Sequence, residues 1–401
     1  MFDHQSQLSL FQQSSNDDLL LDLFQAYYDA RRNKRNTINA LAFEMHFEEE
    51  IFKLYDEITS RRYSPRRSIC FIVNQPVKRE IFAADFRDRV VHHLIYNYLS
   101  PLAGGTFIND SFSCRIGKGT HYGIKRLDKF IRSCSQNYQK DCYILKLDIQ
   151  GYFMSINRNL LFDQVRNLLI SKTHRVDFDV DLVLGLIRQT IQNDSTEGCV
   201  VKGKHSDWEG LPPDKSLFTA KENCGLPIGN LTSQLFANIY LNEFDHYVKR
   251  DLGIKHYGRY VDDFVLVHHD KEYLKSLIPV IRQYLAKTIE VKLHSKKIYL
   301  QHFTRGVKYL GAVLKPHRIY VANRTKGNFY DAINNHNQRV RDHKPSQEEL
   351  EAFISSMNSY LGIMQHYKSY SLRKVMLFKY VSAWWWNYVY ISNGYRQLKA
   401  K

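Results

Sequence analysis

The stretch KHYGRYVDDFVLVHH, residues 255–269, contains an apolar run, Tyr260 to Val267, that is interrupted by two adjacent aspartates, Asp262 and Asp263. Burying unpaired carboxylates inside an apolar strand is costly, so the pattern predicts two strands joined by a turn at Val261 and Asp262. Such a turn would direct the carboxylates toward a cation, and magnesium is the ion that prefers carboxylate and phosphate oxygens. An acidic pair at a hairpin tip is also ordinary turn chemistry, so the neighbouring sequence has to decide.

A further carboxylate follows a second short apolar run, because residues 143–147 predict a strand that ends on Asp148. Nucleotidyl transfer uses two metal ions about 3.5–4 Å apart that share carboxylate ligands. The sequence therefore predicts that Asp148, Asp262 and Asp263 are catalytic and hold two Mg²⁺ ions. Since neighbouring side chains of a strand face opposite sides, Asp263 is expected to be the more peripheral ligand.

The composition indicates a polyanionic partner. The chain has 57 Lys and Arg against 41 Asp and Glu, a net charge of +16, and 13% aromatic residues. A basic surface with interleaved aromatic rings suits nucleic acid, although a merely basic enzyme has the same balance. The absence of a long apolar run predicts no membrane span, and residues 1–10 lack a signal-peptide pattern, so we expect a cytoplasmic protein.

Further motifs surround the aspartates in a fixed order. They are KREIFAADFRDRVVHH at residues 78–93, SCRIGKGTHYG at 113–123, KLDIQGYF at 146–153, GLPIGNLTSQ at 225–234, YVDD at 260–263 and YLG at 309–311. This series resembles the motifs of reverse transcriptases, from the finger motifs through the catalytic motifs to the primer grip. The resemblance covers roughly residues 60–315 and implies an RNA-directed DNA polymerase, a nucleotidyltransferase that uses magnesium.

The resemblance also implies roles for individual residues near the nucleotide. The Ile149 carbonyl would complete the metal shell, Phe153 would be the sugar gate that favours deoxynucleotides, and Arg79 would clamp the triphosphate, with Lys78 as a weaker candidate. The remaining implied residues are Ile228 beside the incoming nucleotide, Gly229 where backbone approaches the nascent base pair, Gln234 as a subgroup marker, and Lys296 or Lys297 as the general acid. For Phe153 a core position, and for the basic residues a solvated surface, are the competing interpretations.

The fold expected from this resemblance is α+β, a right-hand polymerase with fingers, an antiparallel palm sheet and a thumb. Residues 1–60 are expected to form a helical N-terminal extension, and residues 61–315 the fingers and palm. Within the latter, residues 194–224 are rich in Gly, Pro, Asp and Lys and predict an inserted loop. Residues 316–401 are expected to form a helical thumb.

Three hypotheses about the biological role follow. The I-G-x-x-x-S-Q pattern of residues 228–234 resembles reverse transcriptases of diversity-generating retroelements, which implies an RNA template, a DNA or RNA primer, deoxynucleotides and a small basic accessory protein. Bacterial reverse transcriptases of antiviral defence, which make cDNA from a noncoding RNA, share much of the pattern. An RNA-binding protein on an inactive polymerase scaffold is the third hypothesis, and the intact aspartates argue against it.

Overall fold

The chain alternates helices and short strands, and an antiparallel sheet lies near its centre. The computed structural model describes residues 4–32, 37–74, 77–340 and 343–401, with side chains of the first helix described from residue 18 onward. The helices are α1 His4–Arg31, α2 Ile38–Glu44, α3 Phe47–Thr59, α4 Phe86–Gly104, α5 Thr120–Cys134, α6 Tyr152–Ser155, α7 Arg158–Ile170, α8 Val180–Gln192, α9 Leu231–Tyr240, α10 Asn242–Arg250, α11 Lys271–Thr288, α12 Asn323–Arg339, α13 Gln347–Met364 and α14 Tyr370–Val375. The strands are β1 Ile69–Val73, β2 Arg79–Ala83, β3 Tyr143–Asp148, β4 Val200–Val201, β5 His256–Tyr260, β6 Asp263–His268, β7 Tyr299–His302, β8 Val307–Tyr309, β9 Ala312–Lys315, β10 Arg318–Val321, β11 Val389–Ser392 and β12 Gln397–Ala400.

The central sheet has the strand order β5-β6-β3-β7, and every neighbouring pair is antiparallel. Strand β3 alternates its side chains between two cores. Leu145 and Leu147 pack on the large helical core, whereas Ile144 packs with helix α5 and strands β8 and β9. The antiparallel palm sheet and the α+β fold class predicted from the sequence are confirmed.

Two smaller sheets flank the central one. Strands β2, β1 and β4 form one of them, in which β4, from the region predicted as an inserted loop, runs parallel to β1. The rest of that region consists of loops and single 3₁₀ turns at His205–Trp208, Pro213–Lys215 and Leu217–Thr219. Strands β8, β9 and β10 form the other sheet, which follows the palm strands in the chain.

The C-terminal part has its own hydrophobic core, built from helices α12 and α13 and the elements that follow, with Trp385 stacked on Phe353 at its centre. Residues 316–401, expected to form a helical thumb, contain helices α12, α13 and α14 but also β10 and the β11–β12 hairpin, which the sequence analysis did not predict. An Asn393-Gly394 turn in the left-handed region joins the two strands of the hairpin. Among the described residues, no helix combines the length and apolarity needed to cross a membrane.

Candidate active site

The turn between β5 and β6 carries the acidic pair. Val261 has a φ of +57°, a left-handed conformation that costs energy for a β-branched residue and therefore needs support from its surroundings. The Arg259 guanidinium gives that support, because its Nη1 donates to the Val261 carbonyl oxygen at 2.9 Å. Arg259 is fully buried and forms a bidentate ion pair with Asp245, at 2.8 and 2.7 Å. The Tyr257 hydroxyl donates to the same carboxylate at 2.6 Å.

The three predicted aspartates meet at one end of the central sheet. Asp148 is the register partner of Asp263, so these two side chains lie on the same face of the β3–β6 ladder. Asp262 lies in the turn, where its carbonyl oxygen accepts from the Ile149 N–H at 3.2 Å. The sequence analysis inferred a peripheral Asp263 from the alternation of side chains along a strand. That alternation does not relate Asp262 to Asp263, because β6 begins at Asp263 and Asp262 lies in the turn before it.

Two lysines neutralise part of this acidic cluster. Lys297 Nζ donates to Asp148 Oδ1 at 2.9 Å, and Lys146 Nζ lies 3.0 Å from Asp263 Oδ2. The other Asp263 oxygen, Oδ1, is buried and has no hydrogen-bond partner among the described residues. Of the two candidate lysines, the structure thus brings Lys297 to the aspartates, while the described contact of Lys296 is its backbone N–H to His294.

The electrostatics of the cluster favour a bound cation. Burial, reinforced by the like charge of Asp148, raises the pKa of Asp262 to about 6. Burial also raises the pKa of Asp263, and Lys146 opposes that rise. A cation between these groups would relieve the repulsion that raises the pKa of Asp262.

The donor set fits magnesium in kind, because it offers carboxylate oxygens, one of them an orphaned buried acceptor. Across residues 4–32, 37–74, 77–340 and 343–401, no group of three or more His, Cys, Asp or Glu side chains is close enough to hold a metal ion by itself. The aspartates would thus act as a partial ligand set that needs other oxygens, such as a substrate phosphate or the Ile149 carbonyl.

The residues predicted near the nucleotide divide into two groups. Arg79 is exposed at the start of β2, and its charge lowers the pKa of Tyr260, opposing the effect of burial, so it lies near the acidic turn. Lys78 points elsewhere, since its Nζ donates to the Glu209 carbonyl oxygen in the inserted region at 2.5 Å. The structure therefore brings Arg79, but not Lys78, toward the aspartates.

The motif at residues 225–234 packs between α6 and β2. The Phe153 carbonyl accepts from the Leu226 N–H at 2.9 Å, and the Ile228 carbonyl accepts from the Phe82 N–H at 2.9 Å. Gly229 has a φ of +126°, and a Cβ there would lie 2.9 Å from Cγ2 of Ile81, so only glycine fits. The partly buried side chains of Phe153 and Ile228 pack against the same small core.

Gln234 is exposed on the first turn of α9, where its Oε1 accepts from the Cys114 thiol at 3.1 Å. The finger motif at residues 113–123 and the I-G-x-x-x-S-Q pattern at residues 228–234 therefore touch through these side chains. Burial and the nearby Cys114 raise the pKa of Tyr260, the residue that precedes the acidic turn.

Sequence reasoning missed several residues that shape the site, chiefly Arg259, Asp245, Lys146 and Glu80. Glu80 is fully buried and accepts hydrogen bonds from Trp208, Ser216 and Leu217, so it fastens the inserted region to β2. The signal was available for Arg259 and Lys146, because each is a charged residue within a predicted strand.

Comparison with known proteins agrees with this geometry. Residues 78–314, more than half of the chain, match the sequence model of the family described as "Reverse transcriptase (RNA-dependent DNA polymerase)". The chain belongs to the reverse transcriptase family. This reverse transcriptase is 22% identical over 308 residues to protein YkfC of Escherichia coli K12, covering 68% of this chain and 73% of YkfC.

Solved telomerase structures also resemble this reverse transcriptase. The apo telomerase of Candida tropicalis truncated from its C-terminal domain is 12% identical, with a TM-score of 0.47, over 67% of this chain and 59% of that one. The Candida albicans telomerase in complex with a TWJ fragment of telomeric RNA is 12% identical, with a TM-score of 0.47, over 85% of this chain. The present chain spans 59% of the length of each of these two telomerase chains.

Proposed function

We propose that this reverse transcriptase is an RNA-directed DNA polymerase that acts in the cytoplasm and synthesises cDNA by two-metal nucleotidyl transfer. The observation that carries the proposal is the meeting of Asp148, Asp262 and Asp263 at one end of the palm sheet, where burial and the like charge of Asp148 raise the pKa of Asp262 to about 6. Membership of the family supports the same reaction.

In this proposal Asp148 and Asp262 hold Mg²⁺, the Ile149 carbonyl contributes an oxygen, and Asp263 is a further ligand. The bound ions supply activation of the primer 3′-hydroxyl and stabilisation of the leaving pyrophosphate. Arg79, exposed and close to Tyr260, is suited to bind the triphosphate, because a guanidinium pairs with phosphate oxygens in bidentate fashion. Lys78 belongs to the inserted region's contacts and has at most an indirect role in this scheme.

Three further residues would control the nucleotide. Phe153, partly buried beside the metal-site strand, acts as the sugar gate that clashes with a ribose 2′-hydroxyl. Ile228 and Gly229 bring side chain and backbone to the nascent base pair, and the space-restricted Gly229 supports such a close approach. Lys297 is the proton donor to pyrophosphate, since its ammonium already lies 2.9 Å from the Asp148 carboxylate.

Primer extension tests the polymerase directly. The assay uses a defined RNA template, an annealed DNA primer, deoxynucleotides and Mg²⁺. We expect extension by the wild type and by Asp163→Asn, a control at an exposed aspartate of α7, and no extension by Asp262→Asn. Extension by Asp262→Asn at the wild-type rate would contradict the proposal.

Two variants test individual roles in the same assay. Lys297→Ala is expected to slow extension by roughly 10²-fold, the lower end for a general acid, whereas Lys296→Ala leaves it near the wild-type rate. Phe153→Ala is expected to admit ribonucleotides, which is measured by alkali-sensitive products. Equal effects of the two lysine variants would remove the proposed role of Lys297.

For the biological role we propose mutagenic cDNA synthesis in a diversity-generating retroelement, with a dedicated template RNA and a small basic accessory protein as partners. The I-G-x-x-x-S-Q pattern of residues 228–234 supports it, and Gln234 of that pattern contacts Cys114 beside the acidic turn. Sequencing of the cDNA should reveal errors concentrated at template adenines, and Ile228 substitutions should change the error spectrum. An even error spectrum would instead favour the antiviral-defence role.

A further inference from the structure

The last fifty residues of the chain contain no carboxylate side chain. All 41 Asp and Glu residues precede residue 352, whereas residues 352–401 still include seven basic residues, namely Lys368, Arg373, Lys374, Lys379, Arg396, Lys399 and Lys401. This segment therefore presents a positive field with no internal acidic partner, which favours a polyanion over a typical protein surface.

Four aromatic rings of this segment form a continuous row, in which Tyr370 and Phe378 are exposed and Tyr395 and Trp386 are partly buried. Tyr370 lies 5.2 Å from Tyr395, Tyr395 lies 5.8 Å from Phe378, and Phe378 lies 5.8 Å from Trp386, measured between ring centroids. We call these four residues the aromatic row. Its members Phe378 and Tyr370 are 56% and 55% exposed, so these two rings are accessible to a ligand.

The elements beneath the aromatic row hold it in place. Tyr370 begins α14, and Phe378 lies in a π-helical turn, Met376–Tyr380, a rare conformation that often marks functional sites. The buried Arg373 donates to the Tyr395 carbonyl oxygen at 2.9 Å, which fixes the hairpin turn against α14. Binding to such preorganised rings costs little conformational entropy.

Cationic side chains border the aromatic row. Lys374 and Lys379 are exposed on the same helical segment as Tyr370 and Phe378, and Arg396 is exposed next to Tyr395. None of these three cations forms a salt bridge with a carboxylate in the part of the chain that the structure describes. Their charges are thus available to phosphate groups.

We propose that the aromatic row is a binding site for single-stranded nucleic acid, in which bases stack on the rings while Lys374, Lys379 and Arg396 contact the phosphates. Aromatic stacking with flanking cations is the physical basis of sequence-independent single-strand binding. The bases of a duplex already stack on one another, so a duplex would offer the rings only its backbone and terminal bases. This site does not depend on nucleotidyl transfer at the aspartates, so it can be tested whether or not the chain polymerises.

Photo-crosslinking locates the bound strand. The probes are eight-nucleotide RNA and DNA oligomers, containing 4-thiouridine or 4-thiothymidine respectively, and the full chain is irradiated with each probe over a series of protein concentrations. Adducts mapped by mass spectrometry are expected on Tyr370, Phe378, Trp386 or Tyr395. Adducts with both probes assign the site to single strands in general, and adducts with RNA alone assign it to RNA; adducts confined to other regions overturn the proposal.

Matched variants measure the contribution of stacking. Phe378→Ala should raise the protein concentration that gives half-maximal adducts at the aromatic row by about tenfold, as expected for the loss of one stacked base. Phe378→Trp keeps a stacking ring and should keep the half-saturating concentration near the wild-type value. Phe52→Ala, at a 51% exposed phenylalanine of the acidic helix α3, should also leave it unchanged. Equal half-saturation for the wild type and Phe378→Ala would overturn the proposal.

Discussion

The buried ion pair between Arg259 and Asp245 supports the acidic turn, and its removal from one side should be more harmful than its removal from both. Arg259→Met would leave the Asp245 carboxylate fully buried with the Tyr257 hydroxyl as its remaining close donor. Asp245→Leu would leave a buried guanidinium with three weaker acceptors, on Asn238, Val261 and Ser111.

The expected magnitudes follow from burial. Breaking a buried ion pair from one side costs about 3–5 kcal/mol, because an uncompensated charge remains in the interior. The double variant Arg259→Met with Asp245→Leu leaves no buried charge at this position, but it orphans the Tyr257 hydroxyl and the Asn238 and Val261 carbonyls, at about 1–3 kcal/mol each. We therefore expect the double variant to lose no more stability than either single variant.

A double-mutant cycle measured by equilibrium urea unfolding, followed by circular dichroism, tests this reasoning. The coupling free energy should be several kcal/mol. If the loss in the double variant equals the sum of the two single losses, the ion pair does not stabilise the fold in the way that its geometry indicates. The folded double variant should still extend primers poorly, because the Val261 carbonyl no longer has its 2.9 Å donor.

Three other perturbations have defined outcomes. Burial lowers the pKa of His92 to about 3, so below pH 6.5 the unfolded chain binds a proton at His92 that the folded chain does not bind. The free energy of unfolding of the wild type should therefore fall, relative to that of His92→Leu, by up to about 1.4 kcal/mol per pH unit. Urea unfolding at several pH values measures this, and parallel pH dependences of the two proteins would contradict it. Glu80→Ala should release the inserted region and make trypsin cleave after Lys202, Lys204 or Lys215 at least about tenfold faster, whereas Glu272→Ala, at an exposed glutamate, should not. Gly229→Ala should lower the free energy of unfolding by about 1–3 kcal/mol and raise KM for deoxynucleotides. Gly362→Ala, where an added Cβ has no atom within contact distance, should do neither. An unchanged KM in Gly229→Ala would show that the segment around Gly229 is less constrained than its contacts indicate.

Local patterns were sufficient to predict the centre of the molecule. An apolar run that ends on Asp148 and a second run broken at Asp262 are strand and turn signals that burial enforces, and both elements exist at those positions. The Asn393-Gly394 turn was an equally local signal for the β11–β12 hairpin, and it was overlooked because the surrounding sequence was interpreted as helical.

The rest of the site depends on pairings between distant residues. Register placed Asp263 opposite Asp148, a choice that neither strand specifies alone. Lys297 rather than Lys296 reaches Asp148 because of the path that the chain takes between Leu293 and β7. The hydrogen bond between Glu80 and Trp208 joins residues that are 128 positions apart in the chain. Such contacts are decided by the packed fold, so propensity and periodicity could not predict them.

The central position of β3 has a consequence for how the chain can change length. Strands β6 and β7 pair with β3 on its two sides, so one inserted or deleted residue there would exchange the side chains of both cores and displace Asp148. The inserted region between α8 and α9, by contrast, is not part of the central sheet, and its contacts include those with Glu80, with Lys78 and through the short β4 pairing. Relatives of this reverse transcriptase should therefore vary in length between α8 and α9 while the spacing within β3 stays fixed to the residue.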